Sequence, residues 1–142
     1  MAMTYWDDVE IGDSLPPMDV HISKEQVRAY ARAADLSGAR FTDDEGARRE
    51  GLPGIITPGN MTMGLLQRRI TDWDDDVVLR RLSVVFRGLV LPDQTLRLHG
   101  NVVGKDEDGG DHTAELDLWV ETEAGERAVT GTATVALPRR PK

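Results

Sequence analysis

The sequence contains no cysteine, only three histidines and few aromatic residues, which make up 5% of the chain. Without cysteine there is no disulfide framework, no thiolate nucleophile and no cysteine-based zinc site. The three histidines, His21, His99 and His112, do not have metal-ligand spacing, and the acidic clusters lack the regular oxygen pattern of a calcium loop. We therefore expect no metal site.

The chain also lacks a basic block and a long apolar run. Its 17 lysines and arginines are outnumbered by 25 aspartates and glutamates, which gives a net charge of -8. Because nucleic acids and anionic membranes attract basic patches, we expect neither as a partner. No segment approaches the ~20 apolar residues of a membrane-spanning helix, and the N-terminal residues show no secretory signal. A cytoplasmic location is the expectation.

The most informative stretch is 51–70 (GLPGIITPGNMTMGLLQRRI). In NMTMGLL only Asn60 and Thr62 are polar, so the predicted helix is apolar on most sides and must be enclosed by the rest of the fold. Pro58 and Gly59 stand where this helix begins. The fixed φ of proline suits a first turn, and glycine leaves the backbone N–H groups of the helix N-terminus accessible.

Four strand-like segments follow this helix, at residues 77–91, 95–103, 112–120 and 127–137. A first strand is predicted over 19–22, after the Pro16–Pro17 break, and Ser23 with Gln26 has the spacing of a helix capping box. One buried helix and these strands predict an α+β fold, with a single domain over 1–142 in which an antiparallel sheet wraps around a long central helix. The basic tail at 138–142 is expected to be frayed.

Residues 56–65 (ITPGNMTMGL) resemble the I-A-H-G-M-x-T-M-G-L of the central helix in the MaoC-like, (R)-specific enoyl-CoA hydratases and 3-hydroxyacyl dehydratases. The resemblance continues at 5–12 (YWDDVEIG), at 43–52 (DDEGARREGL), and at Phe86, Val90 and Pro92 near the end of the first long strand. It implies the hotdog fold. It also implies an acyl thioester of coenzyme A, or of an acyl carrier protein, as the substrate, with no separate cofactor.

In this family a D-x-N-P-x-H segment supplies an Asp and a His that hold the water added across the enoyl thioester, and here the sequence departs from the pattern. Aligned without gaps, Leu36 takes the place of the Asp and Phe41 that of the His. A shift by one residue places Asp35 and Arg40 there instead, but a guanidinium cannot act as a general base near neutral pH. Pro58 also replaces the histidine that the family has at the helix start.

The resemblance leaves a substrate-binding part of the site. Backbone N–H groups of Gly59 and Asn60 are expected to face the thioester carbonyl. The alternative role of the Asn60 side chain is a helix cap or a contact with the loop. The predicted binding residues are Pro58, Gly59, Asn60, Arg40 and Phe41, and Asp35 is the one catalytic candidate. Four arginines are candidates for the phosphates of coenzyme A or for exposed salt bridges: Arg40, Arg68, Arg69 and Arg87.

Two hypotheses of function remain. In the first, the chain is a subunit of an enoyl-thioester hydratase or dehydratase system that lacks its own Asp/His pair and works with a catalytic hotdog partner. The family includes such unlike pairs, and Gln67–Trp73 (QRRITDW) resembles the Q-R-x-x-T-D-W of the steroid-side-chain type, which makes a bulky or steroid acyl group one option. In the second, the chain is a self-sufficient homodimer with an acid–base pair rearranged around Asp35.

Both hypotheses require a second hotdog domain, either another copy or a paralogue, because an open sheet edge invites pairing. A thioesterase on the same fold ranks last. That activity would need a carboxylate on or near the central helix, and none occurs between Gly54 and Thr71.

Overall fold

The computed structural model of the protein describes residues 4–142, apart from the side chain of Asp108. Its helices and strands are, in chain order, β1 (Ser14–Ile22), α1 (Lys24–Ala33), α2 (Asp44–Arg49), α3 (Gly59–Thr71), β2 (Val78–Phe86), β3 (Gln94–Asp108), β4 (Asp111–Glu121) and β5 (Arg127–Ala136). Short 3-10 turns lie at Trp6–Asp8 and Ala39–Phe41. Within the described range, no helix is long and apolar enough to cross a membrane.

The five strands form one antiparallel sheet in the order β1-β3-β4-β5-β2. Alternate side chains of β3 and β4 point to one face, where they are fully buried: Leu96, Leu98, Val102, Leu116, Leu118 and Val120. The central helix α3 packs on this face and buries Leu65, Leu66 and Ile70 in the same core. The predicted α+β arrangement, with a sheet around one central helix, is confirmed.

The first helix begins as its sequence predicts. The Ser23 hydroxyl accepts from the backbone N–H of Gln26, and the Gln26 side chain accepts from the backbone N–H of Ser23, which completes the capping box. The first strand is longer than expected, because it begins at Ser14 and runs through Pro16 and Pro17. Since β1 lies at the edge of the sheet, two prolines and a bulge between Leu15 and Met18 are tolerated there.

The basic tail is held rather than frayed, so this expectation was wrong. The Arg139 guanidinium pairs with the Asp7 carboxylate at 3.0 Å, and Arg140 pairs with Asp8. The backbone N–H of Trp6 donates to the Pro138 carbonyl at 2.8 Å. Sequence patterns missed these contacts because they join the two ends of the described chain.

Replacing Asp7 with Asn is expected to speed trypsin cleavage after Arg139 several-fold at pH 8, as measured by mass spectrometry of the tail fragment. The Arg139 guanidinium holds the pKa of Asp7 below its usual range. A carboxylate with a depressed folded-state pKa stabilises the contact above the unfolded pKa of ~3.9, and that stabilisation is lost as pH falls through the folded value. Asp75→Asn is the matched control, since it makes the same charge change at another exposed carboxylate. Equal cleavage of both variants would contradict the tail contact.

Candidate functional site

A cavity of about 390 Å³ lies between the N-terminus of α3, the loop after α1 and the end of β2. This volume is within the ~300–1,000 Å³ that is usual for small-molecule sites. The wall consists of Leu36, Phe41, Ile56, Thr57, Pro58, Gly59, Asn60, Thr62, Phe86, Gly88, Leu89, Val90 and Val129. None of these side chains is ionisable, so the cavity wall built by the described residues offers neither a general acid nor a general base.

The loop after α1 turns two apolar side chains towards this cavity. Leu36 and Phe41 both line it, and these are the two residues that the gap-free alignment places at the family's Asp and His positions. Of the predicted site residues, the cavity thus brings Phe41 together with Pro58, Gly59 and Asn60.

Asp35 does not line this cavity. It is exposed, and its φ of 57° places it in the left-handed region at the end of α1. The backbone N–H of Leu36 donates to the Ala31 carbonyl at 2.8 Å, which is the six-to-one bond of a Schellman C-cap. Asp35 therefore forms the helix-ending turn that directs Leu36 inwards.

The arginines predicted to contact phosphates divide into three groups. Arg40 pairs with Glu50 at 3.0 Å and Arg68 with Asp72 at 3.3 Å, which are the exposed salt bridges of the alternative interpretation. Arg69 is buried on α3, and this burial lowers the pKa of its guanidinium. Arg87 donates from Nε to the Thr130 hydroxyl, beside a groove on the outer face of the sheet.

At the start of α3 the backbone donors are free to meet a ligand. Pro58 is the N-cap residue, and no side chain in residues 4–142 caps the helix, so the alternative role of Asn60 as a cap is not observed there. The N–H groups of Met61 and Thr62 bond the Pro58 carbonyl, whereas those of Gly59 and Asn60 find no acceptor among the described groups. Two N–H donors and the positive end of the helix dipole thus remain at the cavity.

Gly59 also permits the close approach of an aromatic ring. A Cβ at this position would lie 2.9 Å from the Phe86 ring, closer than real Cβ contacts allow. The ring of Phe86 therefore rests against the first turn of α3, and it closes one side of the cavity while remaining 51% exposed. Sequence patterns did not mark Phe86 as a site residue, because its contact with Gly59 depends on how β2 crosses the helix.

Thr57 is a wall residue that the sequence did not single out. Its backbone N–H donates to the Val90 carbonyl at 2.8 Å, and the residue is 5% exposed. Its side-chain hydroxyl has no hydrogen-bond partner among the described residues. By contrast, the neighbouring wall hydroxyl of Thr62 donates to the Gly59 carbonyl at 2.7 Å. The one available sequence signal was a polar residue where the family pattern I-A-H-G has alanine.

An antiparallel sheet wrapped around one central helix, with a cavity at the N-terminus of that helix, defines a protein of the hotdog fold. The model of the MaoC like domain matches residues 9–124. The chain therefore belongs to the MaoC-like hydratase and dehydratase family. No curated protein sequence matches it.

Solved structures of low sequence identity share the fold. The (R)-hydratase PhaJ1 from Pseudomonas aeruginosa has a TM-score of 0.86 at 16% identity, over 96% of this chain and 86% of the other. The ChsH1-ChsH2 complex from Mycobacterium tuberculosis contains a chain with a TM-score of 0.79 at 19% identity, over 90% and 98%. A chain of the HadBC (3R-hydroxyacyl-ACP dehydratase) complex from the same organism gives 0.75 at 21%, over 89% and 96%.

Proposed function

We propose that this chain is the substrate-binding, non-catalytic subunit of an enoyl-thioester hydratase or 3-hydroxyacyl-thioester dehydratase. A hotdog partner supplies the missing Asp and His. The observation that carries the proposal is the cavity wall without an ionisable side chain. Adding water to a conjugated thioester, or removing it, needs proton transfer to one carbon and from the water, and these described side chains offer no group for either step.

The two positions that would hold the acid–base pair support this reading. Leu36 and Phe41 both line the cavity, so the loop still forms part of the cavity wall, but the side chains at these two positions cannot transfer a proton. Asp35, the alternative catalytic residue, is exposed and occupies the left-handed position directly after Ala34, the C-cap of α1. A carboxylate outside the cavity wall is poorly placed to activate a water beside a bound acyl chain, because a general base must reach its proton within hydrogen-bond distance.

The features needed to bind a thioester are retained. Apolar side chains line most of the cavity and suit an acyl chain. The free N–H groups of Gly59 and Asn60 suit the thioester carbonyl, since donors at a helix N-terminus stabilise negative charge on oxygen. The acyl group would be carried by coenzyme A or by the pantetheine arm of a carrier protein.

The sheet edges favour β2 as the place where the partner binds. Two prolines protect the β1 edge, whereas β2 contains no proline and exposes about half of Val78, Val85 and Phe86. Because Phe86 also lines the cavity, a domain paired with this edge would lie next to the site. The structural neighbours from the ChsH1-ChsH2 and HadBC complexes are consistent with such a partnered subunit.

The purified chain alone is expected not to hydrate crotonyl-CoA or a steroid enoyl-CoA. Hydration would be detected as a loss of the enoyl-thioester absorbance, so this absorbance is expected to stay constant. Binding of the same thioesters, measured by calorimetry, is expected to persist. Asp35→Asn is expected to leave this binding unchanged, since Asp35 lies outside the cavity wall and asparagine tolerates the left-handed φ of the turn that directs Leu36 inwards. Robust turnover by the chain alone that Asp35→Asn abolishes would overturn the proposal and support a self-sufficient homodimer with a rearranged acid–base pair.

A further inference from the structure

We propose that the β2 edge selects an unlike hotdog domain whose own edge strand carries carboxylates, and that its charges weaken pairing between two copies of this chain. The inference rests on the proposed function and names the chemistry of the partner within it. It starts from the charge of one edge strand. Residues 77–89 (VVLRRLSVVFRGL) contain three arginines and no acidic residue, in a chain whose net charge is -8.

Two of these arginines lie on the outer face of the sheet, away from α3. Leu82 and Val84 pack against the core, so the residues that alternate with them in β2 point outwards. Arg87 accordingly lines the groove on the outer face. Arg81 follows the same alternation, and it lies opposite Thr134 of β5. Both arginines are exposed, one at each end of the outward row of the edge strand.

Neither of these two guanidinium groups has a carboxylate partner among the described side chains. Arg87 donates from Nε to the Thr130 hydroxyl at 3.1 Å, and no ion pair is formed by Arg81 within the described part of the chain. The third arginine, Arg80, is already paired with Asp111 at 3.6 Å. The edge therefore presents positive charge that no described ion pair neutralises.

Pairing of two copies through β2 brings these cations together. The two strands would run antiparallel about a two-fold axis, and residues that lie opposite each other would share a face of the sheet. If the axis passes through Val84, Arg81 of one copy lies directly opposite Arg87 of the other. Every other such register centred between Arg81 and Arg87 places an outer arginine opposite or diagonal to one of the second copy. Like charges at these positions are destabilising.

An unlike domain removes this repulsion if its edge strand carries aspartate or glutamate on the outer face. Each carboxylate then stands opposite an arginine, and opposite-charge pairs across two strands stabilise a sheet. A second copy does not offer such a row, because Asp75 and Asp76 lie in the turn before β2 and not in the strand. Backbone hydrogen bonds still allow two copies to pair, but we expect this pair to be the weaker one.

The test gives this chain the edge that the inference assigns to its partner. Arg81→Glu/Arg87→Glu replaces both cations with carboxylates, and this variant is mixed in equal amounts with isotope-labelled wild type. Native mass spectrometry then separates the three dimers by mass. The mixed pair is expected to associate about tenfold more tightly than the wild-type pair, since repulsive contacts become attractive ones. Added salt is expected to weaken the mixed pair and to strengthen the wild-type pair, because it screens both effects.

A neutral variant and a charge control complete the experiment. Arg81→Gln/Arg87→Gln is expected to self-associate several-fold more tightly than the wild type, as a discrete dimer in sedimentation velocity, which a misfolded variant would not show. Arg32→Glu/Arg49→Glu makes the same change in net charge as the carboxylate variant, at exposed arginines of α1 and α2. Its mixture with the wild type is expected to contain the three dimers in statistical proportion. Thermal melting checks that each variant is folded.

A mixed pair in statistical proportion would overturn the inference, and so would the absence of any dimer, mixed or wild type. An equal gain for Arg32→Glu/Arg49→Glu would assign the effect to net charge and overturn it as well. The assay contains no thioester, so it is separate from the test of the proposed function. Turnover of crotonyl-CoA by the chain alone would reject the missing acid–base pair, whereas failure of the mixed pair rejects only the selection of the partner by charge.

Discussion

Replacing Leu66 with alanine is expected to lower the free energy of unfolding by about 3 kcal/mol, within the ~2–5 kcal/mol that such core truncations cost. Leu66 lies in the middle of α3 and is fully buried between the helix and the sheet. Its side chain packs close to Gly131 of β5, where an added Cβ would already meet it at 3.5 Å. The buried side chains packed around Leu66 can move only partly into the vacated space, so some of the lost volume remains as a void. Equilibrium unfolding in urea measures the change.

Gln67→Ala is the control for this variant, since Gln67 is the next residue of the same helix and is exposed. Its effect is expected to stay within about 0.5 kcal/mol, because surface substitutions away from special features have small effects. A cost below ~1 kcal/mol for Leu66→Ala would contradict the enclosure of the central helix.

Replacing Val84 with proline is expected to weaken self-association of the purified chain at least tenfold, as measured by sedimentation velocity. We expect the chain alone to dimerise through the open edge of β2. The N–H of Arg87 donates to the Ala128 carbonyl of the neighbouring strand segment, and antiparallel pairs alternate, so the N–H of Val84 points to the open edge. Proline at this position removes that donor and leaves the hydrogen bonds between β2 and β5 in place.

The control for the edge is Val85→Thr, which changes a half-exposed neighbour and keeps every backbone donor. This variant is expected to associate within a few-fold of the wild type. Circular dichroism melts establish that both variants are folded. If Val84→Pro associates as tightly as the wild type, the dimer does not form by strand pairing at β2, and the proposed position of the catalytic partner must be abandoned.

Local signals predicted most of the fold. The capping box at Ser23 depends on residues three apart, and the apolar stretch of α3 reads directly as an enclosed helix. The start of β1 was missed because Pro16 and Pro17 read as a break. Prolines inside a strand are tolerated at a sheet edge or at a bulge, and neither the order of strands nor the bulge is visible in the local sequence.

The site was predicted less completely, since it depends on contacts between distant segments. Whether Asp35 or Leu36 faces the cavity is decided by the left-handed turn at Asp35, which the side-chain pattern does not encode. Thr57 is buried where its backbone N–H bonds the Val90 carbonyl, and Phe86 closes one side of the cavity where its ring contacts Gly59. Both contacts join residues that are far apart in the sequence. Aligned positions identified where the chemistry should be, whereas three-dimensional packing identified which groups are there.

The difference between the two sheet edges also limits how large an assembly can grow. A sheet whose two edge strands pair equally well can add copies end to end and extend into a filament, because each addition exposes a new unpaired edge. In this chain Pro16 and Pro17 of β1 oppose such growth on one side. If two copies pair at β2 as proposed, each keeps only its β1 edge open, and assembly is expected to stop at two subunits.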